Sequence, residues 1–148
     1  GDETGVRGGN GEEGFDVSTD GKEIWAPNAQ DGTISIISFA DKKVTDTLAA
    51  NVRGANRLKF TPDGTKVLVS SLGGPDLVVL DGHTRKEMKR IPLGHGAAGI
   101  EMQPDGSRAF VGCSADNYVA VINLKSLEVI GHIDVGPVPD GLAWSVIH

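Results

Sequence analysis

Three copies of one turn, almost evenly spaced, constrain this chain more than any other feature. They read Thr19-Asp20-Gly21-Lys22, Pro62-Asp63-Gly64-Thr65 and Pro104-Asp105-Gly106-Ser107, with the aspartates 43 and then 42 residues apart. Proline presets φ at the first corner, aspartate can bond its own backbone, and glycine accepts a positive φ. Such a turn between two apolar runs predicts a hairpin.

The flanking residues keep the same register. Before each turn stands a short alternating run: Gly14-Phe15-Asp16-Val17, Arg57-Leu58-Lys59-Phe60 and Gly99-Ile100-Glu101-Met102. A further copy, Gly141-Leu142-Ala143-Trp144, stands near the C-terminal end. After each turn come Glu23-Ile24-Trp25-Ala26, Lys66-Val67-Leu68-Val69 and Arg108-Ala109-Phe110-Val111. A third run follows a polar loop: Ile34–Ile37, Leu77–Leu80 and Val119–Ile122, two of them continuously apolar, as strands covered on both faces require. The fourth run, such as Glu87-Met88-Lys89-Arg90-Ile91, is the most polar and suits an outer edge, where charge discourages stray pairing. Four short strands per period, more polar outwards, predict an all-β chain of four-stranded antiparallel propeller blades. A β-solenoid fits less well, because its repeats are shorter and its strands parallel. The expected layout is a flexible N-terminal segment over 1–11 and blades over 12–54, 55–96 and 97–138. The first strand of a further blade is expected over 139–148.

Composition agrees with many short strands and tight turns: 21 of 148 residues are glycine and only 5% are aromatic. A formal charge of −6 disfavours a general nucleic-acid binder, which needs a basic surface. One cysteine, Cys113, excludes an internal disulfide and a cysteine-only metal cluster. No apolar run approaches a helical membrane span and no secretory signal stands at the start, so no membrane insertion is expected. No nucleophile elbow, phosphate loop, haem-attachment motif or zinc signature appears, so no catalytic residue, metal or cofactor is assigned.

The string Gly94-His95-Gly96-Ala97-Ala98-Gly99-Ile100-Glu101-Met102-Gln103-Pro104-Asp105-Gly106-Ser107-Arg108-Ala109-Phe110-Val111 resembles the YVTN-type β-propeller repeat of surface-layer and other extracytoplasmic proteins. Tyr118–Asn123 is similar to that repeat's third strand, and Gly136–Ala143 to the opening of the next. The resemblance covers about residues 9–146 and implies an extracytoplasmic location, periplasmic or at the cell surface. Relatives of the family include lactonase-like and amine-dehydrogenase-like propellers. The chain departs from the pattern at Thr19, where proline is usual, and at Ser38, where the later repeats carry Asp81 and Asn123.

Closed propellers have about four to eight blades, so three blades call for more, from further sequence or from a second copy. The extra strand at 141–144 would compete with Gly14–Val17 in a simple dimer, which favours a longer polypeptide. The resemblance also implies a site where loops ring one end of the channel, ahead of the innermost strands. There the repeats agree in strand and differ in loop: Arg53, Asn56 and Arg57 in one, His95 in the next, Asp140 in the last. Arginine forks there suit a carboxylate or phosphate, while solvated loop residues are the plainer reading. His95 has no second histidine at a metal-ligand spacing. Cys113 aligns with Asn28 and Ser71, as a small structural residue, and Trp25 and Trp144 align with strand-packing positions. A binding or scaffold propeller with an unidentified small-molecule or protein ligand is the first expectation. A fragment of a lactonase-like or amine-dehydrogenase-like enzyme is the alternative.

Overall fold

The computed structural model describes residues 14–71, 76–93, 96–113 (without the Ala98 side chain) and 117–134. The segment 1–11 and the strand expected within 139–148, with Trp144, lie outside these residues. Twelve strands follow in order: β1 (Asp16–Val17), β2 (Glu23–Asn28), β3 (Thr33–Ser38), β4 (Lys43–Leu48), β5 (Ala55–Phe60) and β6 (Lys66–Ser71), then β7 (Asp76–Asp81), β8 (Glu87–Pro92), β9 (Ala97–Met102), β10 (Arg108–Cys113), β11 (Tyr118–Asn123) and β12 (Glu128–Asp134). They form three four-stranded sheets, β1-β2-β3-β4, β5-β6-β7-β8 and β9-β10-β11-β12, each an antiparallel meander. β5 lies against both β1 and β9, so the first strand of every sheet is the inner one.

The period-two alternation of each strand becomes a front and a back. Trp25, Ile34 and Ile36 on the first sheet share a core with Val67, Val69, Val78 and Leu80 on the second. The opposite face of the second sheet puts Leu68, Leu77 and Val79 against Ala109, Val111, Ala120 and Ile122 on the third. Equivalent positions therefore do equivalent work at both interfaces, and the middle strands of the second sheet, β6 and β7, are covered on both sides. Cys113 is fully buried in the second of these cores, with its Sγ near the Val111 carbonyl, which suits its reading as a small structural residue.

β1 is shorter than the run Gly14–Val17 predicts, because only Asp16 and Val17 pair, with Trp25 and Ile24. Two residues beyond Trp25 comes Pro27, which has no N–H to extend the ladder. Asp16 compensates: its carboxylate accepts from the Val17 N–H at 2.9 Å and from the Phe60 N–H of β5, also at 2.9 Å. The inner strands of two sheets are thus tied by a charge-assisted bond.

A second tie crosses the same interface near the perimeter. Arg85, in the β7–β8 turn, donates to Glu23 at 2.8 Å and to Asp46 at 2.9 Å, and its guanidinium lies 5.9 Å from the Trp25 ring centre. Each outer strand also carries one extra residue at the same repeat position. Thr45, Met88 and Ile130 stand unpaired where the register slips between β3 and β4, β7 and β8, and β11 and β12.

The turns that carry the repeat are built as their sequences predict. Gly21, Gly64 and Gly106 have φ of 77°, 77° and 78° and donate back to Ser18, Thr61 and Gln103 at 2.8 Å. Asp63 accepts from the Thr65 N–H, the Thr61 hydroxyl and the Thr65 hydroxyl, and these bonds lower its carboxyl from 3.8 to about 2. A lowered folded-state value stabilises above the unfolded value and is lost as pH falls through the folded one, so the window runs from about pH 4 to about pH 2. Asp63→Asn is therefore expected to be less stable than the parent at about pH 6 and equal to it by about pH 2. Urea midpoints at both pH values check this, and a gap of constant size would show that the bonds do not favour the ionised form.

Candidate functional site

The two ends of the sheets differ in chemistry. At one end lie the Asp-Gly turns that join the first and second strands of each sheet, whose polar groups are consumed internally. At the other, the chain enters the inner strands β5 and β9 through connections that return from the outer strand of the sheet before. The first of these connections, residues 49–54, is held by backbone bonds from Val52 N to Gly32 O at 3.1 Å and from Gly54 N to Ala29 O at 2.9 Å. Gly32, at φ 76°, permits this approach, because a Cβ there would stand 3.0 Å from the Val52 nitrogen. The Ser71 hydroxyl fixes the same connection by donating to the Arg53 carbonyl at 2.7 Å.

That pinned connection presents Arg53, Asn56 and Arg57. Arg53 is exposed; Asn56 and Arg57 are half-buried. Asn56 is the extra residue of a bulge, since Ala55 pairs with Ser71 and Arg57 with Ser70. Bulges re-aim side chains and recur beside functional sites. Arg57 donates to the Asn56 carbonyl at 3.0 Å, which holds its guanidinium across the bulge. The Asn56 side-chain oxygen and the Ser70 hydroxyl are both buried with no hydrogen-bond partner among the described residues. The equivalent bulge in the third sheet falls at Ala98, flanked by Gly99 and Gly112. One backbone device thus carries two chemistries, polar and cationic in one blade and small in the next.

Three of the five candidate residues, Arg53, Asn56 and Arg57, lie on this connection and the start of β5. His95 and Asp140 lie outside the described residues. Lys59, two residues after Arg57 on the inner strand and exposed, is a further cation that the strand pattern alone does not single out. A charge count would find it: between Asp46 and Asp63 the chain carries Arg53, Arg57 and Lys59 and no acid, within a molecule of net charge −6. On the inner strands, Lys59 is equivalent to Asp16 and Glu101, so the positive charge is peculiar to the second blade. Asp31, near Arg53, is held below the ordinary carboxylate value, first by the Thr33 hydroxyl, then by the Thr33 N–H, with a smaller contribution from the Arg53 charge. Among the described residues, no three histidine, cysteine, aspartate or glutamate side chains are grouped to hold a metal ion.

Solved structures with this arrangement of sheets are known. The hydrazine synthase of Kuenenia stuttgartiensis superimposes with a TM-score of 0.78 and 27% identity, over 85% of this chain and 36% of that one. A Bacteroides fragilis protein assigned as a 6-phosphogluconolactonase superimposes with a TM-score of 0.71 and 18% identity, over 82% of this chain and 38% of that one. These three sheets are blades of a β-propeller. No family model matches the sequence, and no curated protein matches it. The chain spans little more than a third of either propeller structure, so its three blades correspond to a part of each.

Proposed function

We propose that this chain contributes blades to a binding propeller of the YVTN-type, extracytoplasmic kind, and that its ligand carries a carboxylate or phosphate. The ligand sits at the entry end of the second blade, held by Arg53 and Arg57, with Asn56 beside them and His95 and Asp140 at the corresponding places in neighbouring repeats. The observation that carries this reading is the run of three cations without an acid from residue 47 to residue 62, set on a pinned connection and an inner-strand bulge. An arginine fork offers two parallel donors to such a group, which gives direction as well as charge. The partners are further blades, from the same polypeptide or from a second copy, because three blades leave a propeller open. Both similar structures carry enzyme names, which favours a second reading: the blades belong to an enzyme whose catalytic groups lie in other blades.

The test is calorimetric titration of the chain with inorganic phosphate, citrate and gluconate, alongside uncharged glucose as control. Oxyanions are expected to bind and glucose not to. Arg53→Ala combined with Arg57→Gln should weaken oxyanion binding at least ~10-fold, the scale of losing one charge-assisted bidentate contact. Affinity should also fall as salt rises. Equal affinity in parent and double variant would remove this site. Turnover of a lactone or a phosphate ester by a longer form of the protein would favour the enzymatic reading.

A further inference from the structure

Five described Asp-Gly pairs, Asp20-Gly21, Asp31-Gly32, Asp63-Gly64, Asp81-Gly82 and Asp105-Gly106, share a geometry that the binding site does not use. Asp-Gly is the sequence in which a backbone nitrogen most readily attacks the preceding side chain, since glycine puts no Cβ in the way. The glycine nitrogen adds to the aspartate Cγ, and the carboxyl hydroxyl leaves as water. A five-membered succinimide results. Water then reopens the ring, mostly at the backbone carbonyl, and gives isoaspartate. One water leaves and one enters, so nothing is oxidised or reduced, and the main chain gains a methylene.

Both reacting groups are immobilised at every one of these pairs. Each nucleophile is engaged: the N–H groups of Gly21, Gly64 and Gly106 donate to Ser18, Thr61 and Gln103, that of Gly32 to Asn28 at 3.0 Å, and that of Gly82 to Thr65 at 2.8 Å. Each electrophile is held as well. Its Oδ1 accepts from the N–H two residues on: Lys22 at 2.9 Å, Thr33 at 3.1 Å, Thr65 at 3.0 Å, His83 at 2.7 Å and Ser107 at 2.9 Å. A side-chain hydroxyl or a second N–H completes each: Ser18, Thr33, Thr61 with Thr65, Thr84 and Ser107.

The geometry points to Asp20, Asp31, Asp63, Asp81 and Asp105 as latent isoaspartate sites, kept inert by their turns and released when a blade opens. The reacting species is the protonated acid, and the same bonds hold all five carboxyls below their ordinary value, which thins that species further. Asp63 has the most complete lock, with three donors on its Oδ1 and a glycine whose added Cβ would meet the Thr19 side chain. An isoaspartate at Asp20, Asp63 or Asp105 lengthens the turn between the first and second strands of its blade. Refolding to the original register is then blocked.

The test incubates the 148-residue chain at neutral pH, with and without denaturing urea, and maps isoaspartate by electron-transfer fragmentation of its peptides. All five positions should convert in urea and at least ~10-fold more slowly in the folded chain, as reactions gated by local opening do. Equal rates in the two states would overturn the proposal, as would no conversion in urea. Thr61→Val with Thr65→Val should raise the folded-state rate at Asp63 relative to Asp105 in the same molecule. An unchanged ratio in a folded variant would refute the lock. If the variant fails to fold and all positions accelerate together, the single Thr65→Val variant is read by the same ratio.

Discussion

Replacing Trp25 with alanine is expected to lower the unfolding free energy of this chain by about 3–5 kcal/mol, the usual cost of emptying a buried tryptophan site. Trp25 is fully buried between the first two blades, where its ring meets Phe60 edge-on with centroids 5.2 Å apart. Its indole N–H donates to Glu23 at 3.1 Å, and that glutamate is also an acceptor for Arg85. Alanine removes the packing, frees one acceptor and takes away the face on which the guanidinium rests. Small domains are stable by about 5–15 kcal/mol, so the change consumes a large share of the total. The measurement is a urea titration followed by circular dichroism, with the midpoint falling at unchanged slope. A loss below about 1 kcal/mol would mean that the first interface is not a cooperative part of the fold. Because blades touch only their neighbours, hydrogen exchange in β10 and β11 should change less than in β2 and β6.

The second large effect is expected at Asp16. Its carboxylate is the acceptor for the Phe60 N–H, a donor on the inner edge of β5 with no further strand beside it. Asp16→Ala should cost about 1–2 kcal/mol, the range for a charge-assisted bond half open to water. Asp16→Asn keeps an acceptor and should recover part of the loss. Denaturation midpoints of the three proteins check this, and equal values for the parent and the alanine variant would show that the bond contributes nothing.

These two side chains also show what was legible in the sequence. Trp25 could be placed from its strand position, equivalent to Leu68 and Phe110, because alternation and repeat register fix which face a residue takes. Asp16 could not be assigned a partner, since the Phe60 N–H comes from another blade and hydrogen bonds between sheets leave no periodic trace. Asp81 and Asn123 were readable as turn formers, because their acceptors reach only two or three residues ahead: His83 and Thr84, then Lys125 and Ser126. Truncation of the first strand at Asp16 was hidden by its apolar alternation and follows from Pro27 on the neighbouring strand. At the candidate site, Arg53 and Arg57 stood out as loop chemistry against agreeing strands. The bulge at Asn56 did not, because one extra residue in a short strand is invisible until its partner's register is known.

The slip at Thr45, Met88 and Ile130 bears on how crowded solutions of this protein behave. Growth of a fibre needs a straight, uninterrupted edge along which an incoming strand can exchange bonds with every second residue. Each perimeter strand is broken near its beginning, so no such run among the described residues is long enough to template a neighbour, even where Met88 and Ile130 stand exposed. The irregularity costs each blade part of one ladder and leaves the outer rim unable to seed cross-β growth.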